Sequence, residues 1–516
     1  MNYEPIFPVR EVNNKMGESR IPVIVGVGQF TNKPSEIEHA IEPFEMIKVC
    51  IARATEDTNA KPFLHMADSI RVVGIFSWHY ADIPSMIAEH VGARPREQIY
   101  TNTGGNNPQF MINEIAREIA EGRSGISLLC GGEALHSRYL SRKLGKPLPW
   151  PQYSGVPQIY GEETGGSNEI ELQHGLRLPI HAFPLFENAL REEEDGLSIE
   201  ENVEQTARMC SAFANVARSN PHAWFRDGKS VGQIKTITPS NRMVCFPYPK
   251  YMNSIWNVDM ASAIIITSAA TARKLGIPEE KWVFIHGAGD CTDAWYPTEK
   301  LNYHSIPGIR LAADYALIQA GVAIDDVEVF DLYSCFPCVP KMAKKMMGIK
   351  TTDWGALTVT GGLPYFGGPG NNYSSHAVCS LVERLRKEPG KFGLTYATGW
   401  YFAKHAVGIY SARPKETEFG TVNCEQIRRE IANLPYPPFI LKAEGEATLE
   451  TFTVVHNHDG QPDYAIIIGR QNDGRRFIAN TERDPSLFQF LTTRDVIGLK
   501  GKVKYSPDLE INIFAP

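Results

Sequence analysis

The chain has 516 residues, 43% of them hydrophobic and 22% charged, with a formal net charge of −7. This length allows two to four domain-sized units and a large core. The acidic balance argues against nonspecific nucleic-acid binding, which needs a basic face, and no run approaches the ~18 apolar residues of a membrane span.

The N-terminal stretch MNYEPIFPVREVNNK has no apolar signal-peptide core. The nine cysteines lie at 50, 130, 210, 245, 291, 335, 338, 379 and 424, an odd number without regular spacing. Reduced, cytosolic thiols fit this better than a disulfide framework, so a soluble cytoplasmic protein is expected.

In chain order, the first strand, VIVGVGQ (23–29), ends in Gly-x-Gly. An amphipathic helix, PFEMIKVCIARATED, and a strand, SIRVVGIFS, follow. GGNNPQFMINEIAREIAEGRSGISLLCGG (104–132) then reads as Gly-Asn-Asn, a helix, a charged turn and a buried strand. Residues 134–225 are rich in proline, aromatics and charge, with a helix predicted at 200–218. An insertion this long suggests a lid or ligand-binding subdomain, and its acidic run at 191–195 reads as a solvated face.

The pattern then repeats. VFIHGAGD (283–290) matches the first strand, with Gly26 and Gly287 lying 261 positions apart. GIRLAADYALIQAG and VEVFDLYS supply a second helix and strand. PGNNYSSHAVCSLVERLRKEPGKFGLTYATG (369–399) matches 104–132, with Asn106 and Asn371 lying 265 apart and Gly132 and Gly399 lying 267 apart. Three landmarks at nearly one offset predict two similar halves of alternating strands and helices. Each Gly-Asn-Asn opens a helix, where free N–H groups and the positive dipole end suit an oxyanion. Two asparagine-capped helices remain the plain alternative.

DLYSCFPCVPKMAKKM (331–346) places Cys335-Phe-Pro-Cys338 between a strand and a helix. A redox pair would need a thioredoxin context, and a zinc site would need a second ligand pair; neither is present. Cys335 is either a surviving active-site thiol or, like Cys338, a small buried apolar residue. Residues 415–435 read as a linker, and 436–516 as alternating strands with the turns HDGQ and NDGR, a small OB-like β-barrel. His456 and His458 are too few for a metal site.

The duplication, the insertion and the motifs FDLYSCFP, GGLPYFGGPGNNYSSHA and KHAVGIYS together resemble the thiolase superfamily, in the branch called thiolase-like protein type 1, over about 20–516. The resemblance implies a duplicated α/β fold of two βαβαβαββ-type halves, layered α/β/α/β/α, with the small barrel at the C-terminus. The implied boundaries are 20–275 for the first half with the insertion 134–225, 276–414 for the second, a linker at 415–435 and the barrel at 436–516.

The resemblance also implies an acyl-CoA substrate, no permanently bound cofactor or metal, and a homodimer or monomer. The activity it implies is acetyl-CoA acetyltransferase-like, in lipid metabolism, on a C–C bond beside the thioester. Thiolases use a nucleophilic Cys, a Gly-His-Pro loop and a late Cys-x-Gly loop. This chain reads Thr101-Asn-Thr-Gly-Gly, Gly367-Gly368-Pro369 and Ala397-Thr-Gly399 there. A retro-aldol lyase on a 3-hydroxyacyl-CoA and a noncatalytic acyl-CoA-binding protein are the alternatives.

The polar residues left in the motif loops are Tyr333, Cys335, Tyr373, His376, Lys404 and His405. Of these, His376, His405, Tyr333, Cys335 and Tyr373 are the candidates for catalysis. Gly105, Asn106, Gly370, Asn371 and Asp331 are the candidates for an oxyanion or substrate site.

Overall fold

The structure is a computed structural model that describes residues 20–193, 196–415, 419–420 and 429–516. Cys424, part of the acidic run at 191–195 and part of the expected linker lie outside the described residues.

The first half runs β1 (Pro22–Asn32), α1 (Pro43–Asp57), β2 (Ser69–Val72), α2 (Ile83–Val91), β3 (Glu97–Tyr100), α3 (Asn107–Glu121) and β4 (Ile126–Ala134). An insertion follows, with α4 (Leu135–Leu144), α5 (Glu169–Gln173), α6 (Pro179–Glu193), α7 (Ile199–Ser219), α8 (Val231–Lys235), β5 (Met243–Cys245) and β6 (Tyr248–Pro249). The half closes with β7 (Asp259–Ser268) and α9 (Ala269–Lys274). The chain between β4 and β7 thus continues past residue 225, where sequence composition places the end of the insertion.

The second half runs β8 (Val283–Thr292), α10 (Pro307–Ala320), β9 (Val327–Leu332), α11 (Cys338–Met347), α12 (Tyr373–Lys387), β10 (Phe392–Gly399) and β11 (Lys404–Ser411). The two halves join in one nine-stranded sheet, β3-β2-β4-β7-β1-β8-β11-β10-β9. In each half the last strand runs antiparallel between the first strand and the strand before it. Within the sheet, among the described residues, the halves pair only through the short ladder Val23↔Phe284 and Ile24↔Val283.

The second half is one strand short of the βαβαβαββ expectation. Where the first half has β3, the second has a 3-10 turn at Trp354–Leu357 and then an irregular loop. Gly361, Gly362, Gly367 and Gly370 of that loop all have positive φ, which no ladder strand accommodates.

Helices α3 and α12 pack against each other and against strands of both halves, so they form the middle layer. Ile112, Ile115, Ile119, Val378, Leu381 and Val382 are completely buried there, each contributing about 1.5–3 kcal/mol. α1 and α10 cover the outer faces. The Gly-x-Gly pairs explain how closely. A Cβ on Gly26 or Gly28 would strike the carbonyls of Ala54 or Cys50, and one on Gly287 or Gly289 those of Ala316 or Ala312. These glycines serve helix–sheet contact. Gly289→Ala is expected to cost about 1–3 kcal/mol, the usual range for overpacking, read as a lower urea midpoint with an unchanged slope.

The C-terminal region is a closed five-stranded barrel, as expected. Strands β12 (Gly445–His456), β13 (Pro462–Gln471), β14 (Arg476–Asn480), β15 (Lys500–Ser506) and β16 (Ile511–Ala515) pair in the order β13-β14-β16-β15-β12, and β13 closes on β12. Helix α13 (Pro485–Thr493) lies between the third and fourth strands. β5 of the insertion pairs with β12, through Cys245 and Val455. The insertion is also tied to the second half by a buried ion pair, Lys341 to Glu187 at 2.6 Å, with Asn202 and Thr206 completing the lysine's bonds. Among the described residues no helix is long and apolar enough to cross a membrane.

Candidate active site

Both Gly-Asn-Asn runs open helices, but neither Asn106 nor Asn372, the residues before α3 and α12, caps its helix through its side chain. Asn371 instead reaches across the pseudo-twofold. Its Oδ1 accepts from Gly104 N (2.9 Å) and its Nδ2 donates to Gly74 O (2.9 Å). Ser374 Oγ donates to Gly105 O at 2.6 Å. Gly370 sits at φ 53° against the carboxylate of Glu133, itself held by the N–H groups of Phe76 and Ser77 and pushed up to about 7 by burial. The second helix start is therefore committed to holding the first.

The first helix start is open. The backbone N–H groups of Gly105 and Asn106 carry no hydrogen bond among the described residues, and they lie at the positive end of α3. Asn106 Oδ1 is buried and without a partner, a group that calls for an explanation. Tyr333 comes in from the end of β9, its hydroxyl so close to Gly105 that no Cβ would fit between them. That hydroxyl has no hydrogen-bond partner among the described residues, and burial raises its pKa, so it stays protonated.

Lys404, the first residue of β11, completes the cluster. Its Nζ donates to Thr103 O at 2.6 Å, and its side chain fills the space a Cβ would need on Gly104 and Gly399. Desolvation lowers the amine to about 8, opposed by the carboxylate of Glu163, and the Trp295 ring lies 5.8 Å away. Glu163 belongs to the insertion and also accepts from Thr103 N at 2.7 Å. Trp295 Nε1 donates to Gly165 O at 2.8 Å. The insertion thus forms one wall of the site.

The turn between β10 and β11 holds Trp400 and Phe402 at φ 53° and 59°. Left-handed geometry at two aromatic residues costs of order 1–3 kcal/mol each. It persists because the turn is fixed on every side. Phe402 O accepts from Lys300 Nζ (2.6 Å) and His405 Nε2 (3.0 Å), and Ala403 O from Asp293 N (2.8 Å).

The other candidates lie elsewhere or are already engaged. His405 follows Lys404 on a strand, so it faces the opposite side of the sheet. It donates from Nε2 to Phe402 O, so its Nδ1 accepts from Tyr396 Oη (3.0 Å), and burial lowers it to about 4. It is a neutral strut of the turn. Tyr373 donates to Asp331 Oδ1 at 2.9 Å, and Asp331 Oδ2 accepts from Thr358, Val359 and Thr360. Both are buried, and together they pin the loop that replaces the missing strand. His376 is enclosed, with Nδ1 donating to Gln29 Oε1 (2.9 Å) and burial lowering it to about 3. Its Nε2, like Asn372 Oδ1 and Ser375 Oγ on the same helix face, is a buried atom without a protein partner.

Cys335 and Cys338 are both free thiols. Cys338 Sγ lies 3.4 Å from Phe183 O, and Cys335 lies before the helix rather than at its first turn. Burial raises the Cys335 thiol, opposite to what a thiolate nucleophile requires. Alkylation of Cys335 by iodoacetamide at pH 7.5 is expected to run at least about tenfold slower than that of a free cysteine, followed by peptide mass spectrometry.

Lys404 and Glu163 are the residues that reading the sequence did not select. For Lys404 a signal existed: in KHAVGIYS, strand alternation puts 404 and 405 on opposite faces. For Glu163 none did, because an irregular loop carries no periodicity.

Residues 426–507 match a family model described as the thiolase-like protein type 1 additional C-terminal domain. A 3-ketoacyl-CoA thiolase from Pseudoalteromonas translucida (strain TAC 125) is 26% identical over 136 residues, which is 26% of this chain and 33% of that relative's length. The crystal structure of a monomeric SCP2-thiolase-like protein type 1 from Mycobacterium smegmatis superposes with a TM-score of 0.82 at 33% identity, covering 97% of this chain and all of that one. Two more distant structures share the fold over 77% of this chain and all of theirs. They are an Ltp2-ChsH2(DUF35) aldolase (TM-score 0.57, 15% identity) and an acetyl-CoA acetyltransferase from Syntrophomonas wolfei (0.53, 14%).

Proposed function

Because this chain belongs to the SCP2-thiolase-like protein type 1 family, we propose that it acts on an acyl-CoA thioester, cleaving or forming a C–C bond beside the carbonyl without a cysteine nucleophile. The reaction is of retro-aldol type on a 3-hydroxyacyl-CoA. The observation that carries this reading is the placement of the Lys404 Nζ against Gly104, bonded to Thr103 O and next to a helix start whose Gly105 and Asn106 N–H groups carry no hydrogen bond among the described residues; burial lowers that amine to about 8. The thiols nearby are held in the neutral form instead. The aldolase that shares the fold is consistent with it.

In the cleavage direction, neutral Lys404 takes the proton of the 3-hydroxyl. The C2–C3 bond breaks, and its electron pair passes into the thioester as an enolate while C3 leaves as a ketone or aldehyde. The N–H groups of Gly105 and Asn106 receive the enolate oxygen. Tyr333, held protonated, returns a proton to C2 to give the shortened acyl-CoA, and Lys404 restores the tyrosine. The sum is one carbonyl compound and one acyl-CoA per 3-hydroxyacyl-CoA.

The test is incubation with straight and branched 3-hydroxyacyl-CoAs, reading both CoA products and protein mass. The expected result is shortening of the thioester with unchanged protein mass. An acyl adduct on a cysteine would overturn the non-covalent reading. Binding of every thioester without turnover would leave a binding protein.

A further inference from the structure

One fully buried arginine of the barrel reaches into the second half. Arg476, on β14, is gripped by both oxygens of Glu450 (2.8 and 2.6 Å) and lies over the Tyr303 ring, 5.1 Å from its centroid. The rest of the guanidinium donates to the carbonyls of Thr298 (3.2 Å), Lys300 and Leu301 (3.2 Å). These belong to a short turn, and the Lys300 side chain leads from that turn to other backbone carbonyls.

Lys300 is buried and ends on backbone carbonyls, those of Ala294 and Phe402. Phe402 is one of the two left-handed residues of the β10–β11 turn, two positions before Lys404. A second arm reaches the same turn. Asn480 Nδ2 donates to His174 O (2.9 Å), Asn512 N to His174 Nε2 (3.0 Å) and Tyr464 Oη to Gly175 O (3.0 Å). From that segment Arg177 O accepts from Tyr401 Oη at 3.4 Å. Both arms start on barrel strands and end on the strained turn.

We propose that the C-terminal barrel is a working part of the active site, with Arg476, acting through Lys300, a positioning residue for the turn that carries Lys404. The proposal rests on the reading that Lys404 is the reactive amine, but its test does not need turnover. Removing the Lys300 ammonium frees the Phe402 carbonyl, lets the turn relax from its left-handed geometry and lets water reach Lys404. Lys404 then loses its setting between Thr103 O, the Trp295 ring and Glu163.

The experiment is competitive acetylation of amines across pH 6–11 on the full chain, with mass spectrometry reporting each lysine, in unaltered protein, Lys300→Met and Arg476→Lys. Lys415, also buried and lowered to about 8 but bonded to Gln319 O at 3.0 Å, serves as the internal control. The expected result is Lys404 near 8 in unaltered protein and raised by at least one pH unit in both variants, with Lys415 unmoved. Lys404 unmoved in two folded variants would overturn the proposal. So would Lys404 and Lys415 moving together, which would mean general loosening. A selective shift of Lys404 in protein that turns over none of the thioesters would uphold the positioning while removing the reaction assigned above.

Discussion

Lys404→Met is expected to lower kcat on a 3-hydroxyacyl-CoA by about 10²–10⁴-fold, the range for losing a positioned acid–base group, with little change in KM. Lys404→Arg should be as inactive, because a guanidinium keeps its proton at every usable pH. The unaltered protein should also have a pH signature in the proposed reaction. Desolvation disfavours the ammonium form, lowering the amine from 10.5 to about 8. The neutral, proton-accepting form is therefore the minority below pH 8 and dominant above it. The rate should rise about tenfold per unit at lower pH and level off past about 8. A profile that is flat from pH 6 to 9, or a Lys404→Met variant with full activity, would remove Lys404 from the mechanism.

Asp331→Ala is expected to destabilise the protein by about 3–5 kcal/mol, the largest structural effect of a single change near the site. The carboxylate is buried and accepts five hydrogen bonds, from Tyr373, the hydroxyls of Thr358 and Thr360, and the N–H groups of Val359 and Thr360. Alanine leaves all of these donors without that acceptor in a dry site, and each stranded group costs about 1–3 kcal/mol before relaxation. Burial raises the Asp331 pKa even though its donors work to lower it. Asp331→Asn keeps an acceptor oxygen for part of the set and should cost clearly less. Urea denaturation of the three proteins distinguishes this from a substrate-contacting role, which predicts equal stabilities and altered KM.

Several features were legible in the sequence alone. Hydrophobic periodicity and the near-constant offset between glycine landmarks determined two related halves, because helix and strand patterns are local. The β-turn signals HDGQ and NDGR likewise marked the barrel, where alternating strands must pair with near neighbours. The absence of Cys and His at the three thiolase positions was also plain.

Which polar residues of the motif loops face one another was decided only by tertiary structure. Tyr373 reads as a catalytic candidate and Asp331 as a substrate-site candidate in a string of letters, yet their side chains bond each other and pin an irregular loop that has no ladder of its own. His376 is turned onto Gln29, which lies 347 positions away. Lys404 and His405 are neighbours in sequence, and the pleat sends one to the helix start and the other to the back of the turn. Contacts from Glu163 in the insertion, and from Arg476 by way of Lys300, reach the site across long sequence separations. A local pattern specifies which face a residue occupies, but not what the rest of the chain places opposite it.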